Sequence, residues 1–573
     1  MTIQAEEYVE QIAETHGIAG STLLPDDTVV FAAYRDGEYE LCTSDERLTE
    51  TDGDVTYPQW LEGHESIIAH RDVDGNEAYD LVEADPETGT VTSILDDQFQ
   101  NQNPQQNPTD PNQIAFISTR DRSFDLYTLN LDTDEVTKRS ENDDPVWGYA
   151  WSPDGGALVY QSGAGDGDTL RLIDLDAGTD EVLIDEPDSE QSLSMTSRHQ
   201  GRGAWSDEGI VFTTNHVTGY RELAIADQSG EYDLHYVTEW DKYDPRWTPD
   251  GHIIFVEPHN GNREIRRLVD GEVETIESVG AHMYREPTEN GVYYANYSPT
   301  EAGDLKKNGE TVVVESDIDF PTTAPEEVSY QSGDGQEISA RLYTPNKEPV
   351  GGIVNIHGGP PAQHYNRLDP TTQTLVQSGF EVLAPDYRGS VGYGREFRTS
   401  NIGNIGAVDV DDVVAGAEHL RERGRSQVGV IGASWGGYLT LMGISTTDAF
   451  DAGASICGLV NLETTVENAR GYLGDVMVRL AGGTPEEVPE LYEERSPITY
   501  VDDIDVPLLI VQGANDPRVP QSEAQQLVSS LDERDIPHEY LLFEDEGHGV
   551  VKTENTAEYL DRTVSLFQTA FQE

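Results

Sequence analysis

The pattern of hydrophobic and polar positions changes twice along this chain. Residues from about 4 to 16 carry apolar side chains at helical spacing, with Tyr8, Val9 and Ile12 on one face, which predicts a short amphipathic helix. Short apolar runs bounded by polar turns follow as far as about residue 318, and they predict β-strands. Beyond that point strand-like runs alternate with helical patterns, as in a mostly parallel sheet.

The strand-rich part is repetitive. A new unit begins after roughly 40 to 50 residues, at apolar runs that start near Thr28, Ile67, Ile114, Ala157, Ile210, Ile253 and Val292. Similar turns that begin with Trp151, Trp205 and Trp247 and end in glycine precede three of these runs. Such a period, with several short strands in each unit, is typical of a β-propeller, whereas a large β-sandwich would not repeat the turn. We therefore predict a propeller of about seven blades.

The segment from Val428 to Gly437 carries the clearest chemical signal. It predicts an apolar strand, a G-x-S-x-G turn with Ser434 at its centre, and a helix. Gly432 and Gly436 would let neighbouring backbone approach closely, and a serine on such a turn projects its Oγ outward. This arrangement presents a nucleophile in α/β-hydrolases. An ordinary serine in a glycine-rich turn is the alternative interpretation.

A serine nucleophile needs a base and a carboxylate that orients the base, and in α/β-hydrolases they follow in the order Ser, Asp, His. Only His538 and His548 follow Ser434. His548 lies in a loop after an apolar strand and His538 lies before that strand, so we assign His548 as the base and interpret His538 as a surface residue. Asp516, just after an earlier apolar strand, is the predicted orienting carboxylate; a turn-forming aspartate is the alternative.

The negatively charged oxygen of a tetrahedral intermediate needs preorganised N–H donors. We expect one donor at Trp435, the residue after the nucleophile, and the other at Gly359 in the loop that begins with His357. His357 could in principle bind a metal, but the positions three to five residues further on offer no second ligand. A structural histidine is the favoured interpretation, and no metal or cofactor is predicted.

These signals define a predicted domain organisation. A chain of 573 residues is too long for one hydrophobic core. We predict an N-terminal helical extension over residues 1–19, a β-propeller over residues 20–318 and an α/β-hydrolase catalytic domain over residues 319–573. The Pro-rich segment from Phe320 to Glu327 is the predicted linker. The sequence does not indicate where the ring of blades closes.

The composition restricts the environment and the partners. The net charge is −74, with 109 acidic residues against 35 basic ones, and most of the basic residues are arginine. Acidic residues spread over the whole chain indicate a halophilic surface, which strong salt would screen. Nucleic acid and anionic membranes are therefore poor partners. The beginning of the chain lacks a basic or apolar leader pattern, and a cytoplasmic location is expected. Cys42 and Cys457 fall in different predicted domains and imply neither a disulfide nor a zinc site.

Several segments in order resemble the prolyl oligopeptidase family of serine peptidases, and most closely its acylaminoacyl-peptidase branch. They are the loop from His357 to Pro360, the stretch from Asp386 to Gly394, the Ser434 turn, and the segments that contain Asp516 and His548. The resemblance covers the C-terminal domain by motif and the propeller by architecture. Members of the family often pack an N-terminal helix on the hydrolase domain.

The resemblance implies further roles. Gly359 matches the main-chain oxyanion donor of the branch, and Arg518 matches the arginine that binds the carbonyl of the substrate's P2 residue; a salt bridge is the alternative for Arg518. It also implies short peptide substrates in a cleft beneath the propeller, and homo-oligomers are common in the family. Release of N-acylated amino acids is the expected activity. Dipeptidyl aminopeptidase, oligopeptidase and carboxylesterase activities remain alternatives, as does a propeller binding protein with an inactive hydrolase domain.

Overall fold

The computed structural model describes residues 5–121, 123–163, 167–193, 203–314, 318–469 and 473–572. Within these residues the N-terminal part is a seven-bladed propeller of antiparallel strands. The first three blades contain β1 (Ser21–Leu23), β2 (Val29–Arg35), β3 (Glu38–Cys42); β4 (Asp54–Leu61), β5 (Ser66–Asp72), β6 (Asp80–Ala84), β7 (Val91–Leu95); and β8 (Asn101–Gln106), β9 (Gln113–Asp121), β10 (Ser123–Asn130), β11 (Glu135–Lys138).

The other four blades continue in chain order. They contain β12 (Val146–Trp151), β13 (Ala157–Ser162), β14 (Thr169–Asp174), β15 (Thr179–Ile184); β16 (Gln191–Ser192), β17 (Trp205–Ser206), β18 (Gly209–Thr214), β19 (Glu222–Ala226), β20 (Tyr232–Tyr236); β21 (Tyr243–Trp247), β22 (Ile253–His259), β23 (Asn262–Val269), β24 (Glu272–Glu277); and β25 (Ala281–Thr288), β26 (Gly291–Ser298), β27 (Glu301–Lys307), β28 (Glu310–Val313). One parallel bridge between Arg263 and Ala281 joins the last two blades.

The apolar runs that revealed the repeat form the second, buried strand of the blades, from β2 to β26. The tryptophan turns join the first and second strands of their blades. In one of them the Ser152 hydroxyl donates to Asp154 at 2.7 Å and accepts from the Ala157 N–H at 2.9 Å. The turn signal of the sequence is therefore a set of local hydrogen bonds that closes a hairpin.

Side-chain packing closes the ring. Phe31 and Ala33 of the first blade share one buried cluster with Ala295 and Leu305 of the last blade. The Tyr297 hydroxyl of the last blade donates to the Ile18 carbonyl at 2.6 Å. The first and last blades therefore meet through burial of apolar surface and a contact with the segment before the first strand.

The C-terminal domain is an α/β-hydrolase built on one eight-stranded sheet. Its strands are β29 (Glu326–Gln331), β30 (Glu337–Tyr343), β31 (Gly351–Ile356), β32 (Phe380–Pro385), β33 (Val428–Ala433), β34 (Ala452–Ile456), β35 (Leu508–Gly513) and β36 (His538–Phe543). The spatial order is β29-β30-β32-β31-β33-β34-β35-β36, and all neighbours from β32 to β36 run parallel. The carboxyl ends of the parallel strands consequently share one edge, where α/β proteins carry their ligand sites.

Helices cover both faces of this sheet. After α1 (Ala5–Ala13) they are α2 (Pro370–Gln377), α3 (Gly394–Thr399), α4 (Val408–Glu422), α5 (Trp435–Thr446), α6 (Leu462–Asn468), α7 (Leu473–Ala481), α8 (Pro489–Glu494), a 3-10 helix (Pro497–Asp503), α9 (Gln521–Asp532) and α10 (Thr553–Ala570). Val413 of α4 and Leu439 of α5 lie in one core cluster with Val430. Ile12 of α1 and Phe567 of α10 lie in the other with Ile431, so the N-terminal helix packs on the hydrolase domain.

The described helices include none that is long and apolar enough to cross a membrane.

Polar contacts tie the propeller to the hydrolase. The Asp241 carboxylate accepts from the N–H groups of Gly392 and Gly394 at 3.1 and 3.2 Å. The Asn366 amide donates to the Asn260 carbonyl at 3.1 Å. The stretch from Asp386 to Gly394, noted in the sequence, therefore reaches the domain interface.

Candidate active site

Ser434 lies between the carboxyl end of β33 and the first residue of α5. Its φ and ψ are 57° and −119°, a strained conformation for a residue with a side chain. The Ser434 N–H donates to the Ile456 carbonyl at 2.8 Å and so fixes the turn to the neighbouring strand β34. A strained serine held in this way on a strand-to-helix turn is the nucleophile position of the α/β-hydrolase fold.

The two glycines of the turn have the role that the sequence indicated. A Cβ on Gly432 would lie 2.4 Å from the Gly436 carbonyl carbon, and a Cβ on Gly436 would lie 2.2 Å from the Ile356 carbonyl oxygen. Both contacts are with backbone, which cannot yield as a flexible side chain can. The turn therefore requires glycine at both positions, and this prediction is confirmed.

Asp516 and His548 come together at the same edge of the sheet. Asp516 follows β35 and His548 follows β36, and the His548 Nδ1 lies 2.8 Å from the Asp516 Oδ2. The Asp516 side chain is fully buried, and its Oδ1 accepts from the N–H groups of Arg518 and Val519 at 2.9 Å each. A carboxylate fixed in this way can orient the imidazole and stabilise its positive charge.

His538 lies at the other end of β36, where its Nδ1 is 2.9 Å from the Ile536 carbonyl.

The hydrogen bonds found among the described residues include the one between His548 and Asp516. They include none between the Ser434 Oγ and the His548 ring. Transfer of a proton from Ser434 to His548 therefore belongs to the proposed mechanism, since catalytic hydrogen bonds often form only when substrate is bound.

A buried glutamate braces the loop that carries His548. The Glu546 Oε1 accepts from the N–H groups of Val551 and Lys552 at 3.1 and 2.9 Å and from the Asn555 amide at 2.9 Å. Burial raises the pKa of the Glu546 carboxyl. These hydrogen bonds close the loop around His548. In the sequence, the only sign of them was an acidic residue, Glu546, close to His548.

The loop predicted to supply an oxyanion donor lies beside the nucleophile. A Cβ on Gly358 would lie 3.3 Å from the Ser434 Cβ, and Gly359 has a φ of 125°. His357 is held from both sides, because its Nε2 lies 2.9 Å from the Ser390 Oγ and its ring stacks on Tyr387 at 4.4 Å. Burial lowers the pKa of His357, which favours the neutral form of the ring.

The propeller contacts the loops of both Asp516 and His548. The Asn515 amide donates to the Asp74 carbonyl at 3.1 Å, and a Cβ on Gly547 would lie 1.9 Å from the Gly75 carbonyl oxygen. The Arg518 Nη2 and Nε bind the two carboxylate oxygens of Glu77 at 2.8 and 2.9 Å. Arg518 is therefore both next to the aspartate and paired with the propeller. The sequence suggested the arginine but not its partner.

Two buried residues near the Ser434 turn were not singled out as site residues from the sequence. Asp409 of α4 is fully buried beside Trp435, and burial together with the charge of Asp412 raises its pKa to about 7. Cys457 follows β34 directly and is 2% exposed. Burial and the charge of Asp516 raise the pKa of the Cys457 thiol. Cys457 directly follows β34, the strand that pairs with β33. That position was the one feature of the sequence that could have identified Cys457 as a site residue.

The fold and this arrangement define an α/β-hydrolase domain with a serine, histidine and aspartate at one edge of its sheet, covered by a seven-bladed propeller. The sequence profile of the prolyl oligopeptidase family matches residues 366–573. This match covers most of the C-terminal domain, where the sequence motifs indicated the same family.

Curated relatives match part of the chain. Dipeptidyl peptidase family member 6 of Caenorhabditis elegans is 35% identical over 258 residues, which are 44% of this chain and 35% of that protein. Dipeptidyl aminopeptidase BIII of Pseudoxanthomonas mexicana is 38% identical over 36% of this chain and 31% of that protein. Acylamino-acid-releasing enzyme 1 of Oryza sativa subsp. japonica is 30% identical over 36% of this chain and 28% of that protein. The match thus spans about a third of each relative.

Solved structures match the whole chain in fold. The crystal structure of puromycin hydrolase superposes with a TM-score of 0.85 at 21% identity and covers 100% of this chain and 96% of that one. Acylaminoacyl peptidase of Pyrococcus horikoshii gives a TM-score of 0.61 at 18% identity over 99% of this chain and 98% of that one. At these identities the likeness establishes the propeller and hydrolase architecture.

Proposed function

We propose that the protein is a serine peptidase that cleaves short peptides through an acyl-enzyme. Ser434 attacks the scissile carbonyl while His548, oriented by Asp516, accepts the hydroxyl proton. His548 then protonates the leaving amine, and water releases the acyl group. The main support is the 2.8 Å contact between His548 and Asp516 at the sheet edge where Ser434 occupies its strained turn.

The oxyanion donors in this mechanism are the main-chain N–H groups of Gly359 and Trp435. Trp435 begins α5, and the N-terminus of a helix favours developing negative charge. Gly359 adjoins Gly358, which packs against Ser434. No step of the mechanism calls on a metal or cofactor.

The propeller limits the substrate to short peptides in this proposal. Its segment from Asp72 to Glu77 contacts the loops that hold both Asp516 and His548, so a folded protein could not lie across the catalytic edge. Arg518 binds the carbonyl of the P2 residue with N–H groups of its guanidinium fork other than those that bind Glu77. Glu77 holds that fork in place from the propeller side.

Release of N-acylated amino acids is the activity that we propose first, on the resemblance to the acylaminoacyl-peptidase branch. A second candidate, dipeptidyl aminopeptidase activity, is favoured by one observation. A cavity of about 160 Å³ beside His548 is lined by acidic residues from both domains, Glu38, Asp54, Asp72, Asp74, Glu77, Asp545 and Glu546. Such a cavity would attract the ammonium group at the free N-terminus of a peptide substrate. It would repel a carboxylate on the substrate.

Three chromogenic substrates separate these activities: an N-acetyl-aminoacyl anilide, a dipeptidyl anilide with a free amine, and a short acyl ester. Each is measured in roughly molar KCl, with Ser434→Ala as the blank. Faster cleavage of the acetylated anilide supports the acylaminoacyl peptidase, and faster cleavage of the free dipeptide supports the second candidate. Hydrolysis of the ester alone, or turnover by Ser434→Ala, would overturn the peptidase proposal. Labelling of wild type but not Ser434→Ala by a fluorophosphonate tests whether the serine is reactive.

The proposal includes a halophilic, cytoplasmic enzyme that works on small peptides without nucleic acid or membrane partners and that can form homo-oligomers. The net charge of −74 is the support for the salt requirement. In dilute buffer the acidic surface repels itself, whereas at about 1 M salt the Debye length falls to about 3 Å. We expect thermal stability to rise steeply with KCl concentration. A melting temperature that does not change between dilute buffer and molar KCl would contradict the halophilic assignment.

A further inference from the structure

Cys457 lies where the structure concentrates the catalytic groups. It follows β34, whose neighbours β33 and β35 lead to Ser434 and Asp516. The Cys457 N–H donates to the Val511 carbonyl at 2.8 Å, which anchors the residue to β35. Its Sγ, a carboxylate oxygen of Asp516 and a ring nitrogen of His548 all lie within 4.8 Å of one another. Three different ligand types therefore converge on one point beside the nucleophile.

We propose that Cys457, Asp516 and His548 form a binding site for a thiophilic divalent cation of the Zn²⁺ type, and that an ion bound there switches the catalytic pair off. Zn²⁺ binds sulfur at about 2.3 Å and nitrogen or oxygen at about 2.0–2.2 Å. Tetrahedral coordination then places donor atoms roughly 3.2–3.7 Å apart. The three donors already lie within 4.8 Å, and small side-chain rotations bring them into this range. Water completes the coordination.

The proton movements that accompany metal binding explain the loss of activity. Cys457 releases its Sγ proton to solvent and binds the metal as a thiolate. The proton on the His548 Nδ1 moves through solvent to Nε2, so the ring stays neutral and Nδ1 binds the metal. The Asp516 carboxylate loses its hydrogen bond to His548 and binds the metal instead. One proton is released in total, and the protonated Nε2 can no longer accept the proton of Ser434.

The ligand set also determines which cations bind. Hard cations such as Mg²⁺ prefer oxygen ligands, and the 109 acidic residues of this chain offer them many weak sites. A thiolate and an imidazole instead favour Zn²⁺ and Co²⁺. Cys42 is a matched control, because it is also buried but lies in the propeller with its Sγ 3.7 Å from the Glu40 carbonyl. No zinc site was indicated by the sequence, since the three ligands come from separate segments.

Cobalt(II) titration of the full chain in thiol-free molar KCl tests the proposal. Wild type and Cys42→Ser should develop a near-ultraviolet thiolate-to-cobalt absorption band that saturates at one equivalent and disappears on addition of Zn²⁺. Cys457→Ser and Cys457→Ala should lack the band while retaining cooperative thermal unfolding. Absence of the band in wild type, or its persistence in either folded Cys457 variant, would overturn the site.

Inhibition provides the second measurement, and this part alone rests on the proposed peptidase function. Zn²⁺ should inhibit wild type and Cys42→Ser at the same concentration, and equal Mg²⁺ should have no effect. Removal of the Cys457 ligand should raise the inhibitory concentration by more than the roughly 10–100-fold that loss of an outer-shell partner costs. Equal inhibition of the Cys457→Ser variant would refute the switch. If the protein shows no hydrolysis at all, the cobalt band still decides whether the metal site exists.

Discussion

Substitution of Gly436 by alanine tests the geometry of the nucleophile turn most directly. The added Cβ would lie 2.2 Å from the Ile356 carbonyl oxygen, 2.9 Å from the Ile356 carbonyl carbon and 3.0 Å from the His357 carbonyl oxygen. Ordinary contact begins at 3.4 Å, so the start of α5 and the end of β31 must separate by about 1 Å. Gly436 adjoins Trp435, and His357 begins the loop with Gly359. The separation would therefore displace both proposed oxyanion donors.

Two quantities should change. Overpacking of this kind costs about 1–3 kcal/mol of folding free energy, which corresponds to roughly 2–4 °C in melting temperature per kcal/mol for a domain of this size. A displacement of about 1 Å at the oxyanion donors should lower kcat by about 100-fold. The KM should change much less, because the donors act mainly on the transition state.

The assay is steady-state hydrolysis of the preferred anilide in molar KCl, together with thermal unfolding of the same sample. Gly333→Ala is the matched control, since a Cβ there meets nothing within 4 Å and its φ is not positive. This control should keep both the kcat and the melting temperature of wild type. A Gly436→Ala protein with a kcat within about twofold of wild type would refute the reasoning.

Three further predictions concern the groups around the triad. Asp516→Asn removes the charge that orients His548 and should lower kcat by about 10⁴-fold in a folded protein; near-normal turnover would reject Asp516 as the orienting group. Arg518→Lys loses the fork, so the KM should rise more than kcat falls, with a smaller effect of the same kind for Glu77→Gln; a pure kcat effect would argue against P2 binding. The folded pKa of Asp409 is raised from 3.8 to about 7, so its contribution to stability is present below about pH 4 and lost as pH rises through 7. Asp409→Asn should therefore gain melting temperature relative to wild type over that interval, and a difference independent of pH would contradict the shift.

Much of the site was accessible from the sequence because its members follow local rules. A nucleophile turn needs glycine on both sides of the serine within five residues, and Gly432 and Gly436 satisfy that need by steric necessity. His548 could be distinguished from His538 because the two residues lie at opposite ends of one strand, and parallel strands present their carboxyl ends at one edge. The turn motif was enough for the first inference, and the position along the strand was enough for the second.

The contacts between domains were not accessible in this way. The pairing of Arg518 with Glu77 joins residues 441 positions apart, and a chain with 109 acidic residues offers no local mark that selects one of them. The approach of Gly75 to Gly547 is likewise decided by how the propeller lies on the hydrolase domain. The pKa of Asp409 is raised because the residue is buried beside Trp435. The sequence does not show which of the acidic residues in this helix is buried.

The sequence predicted the propeller repeat, the hydrolase domain and a triad of Ser434, Asp516 and His548, because hydrophobic period, turn residues and strand order are properties of neighbouring positions. Only the packed structure shows the closure of the ring, the pairing of Arg518 with the propeller and the convergence of Cys457 on Asp516 and His548. These depend on which surfaces exclude water together once distant segments have packed, and no local pattern encodes that choice.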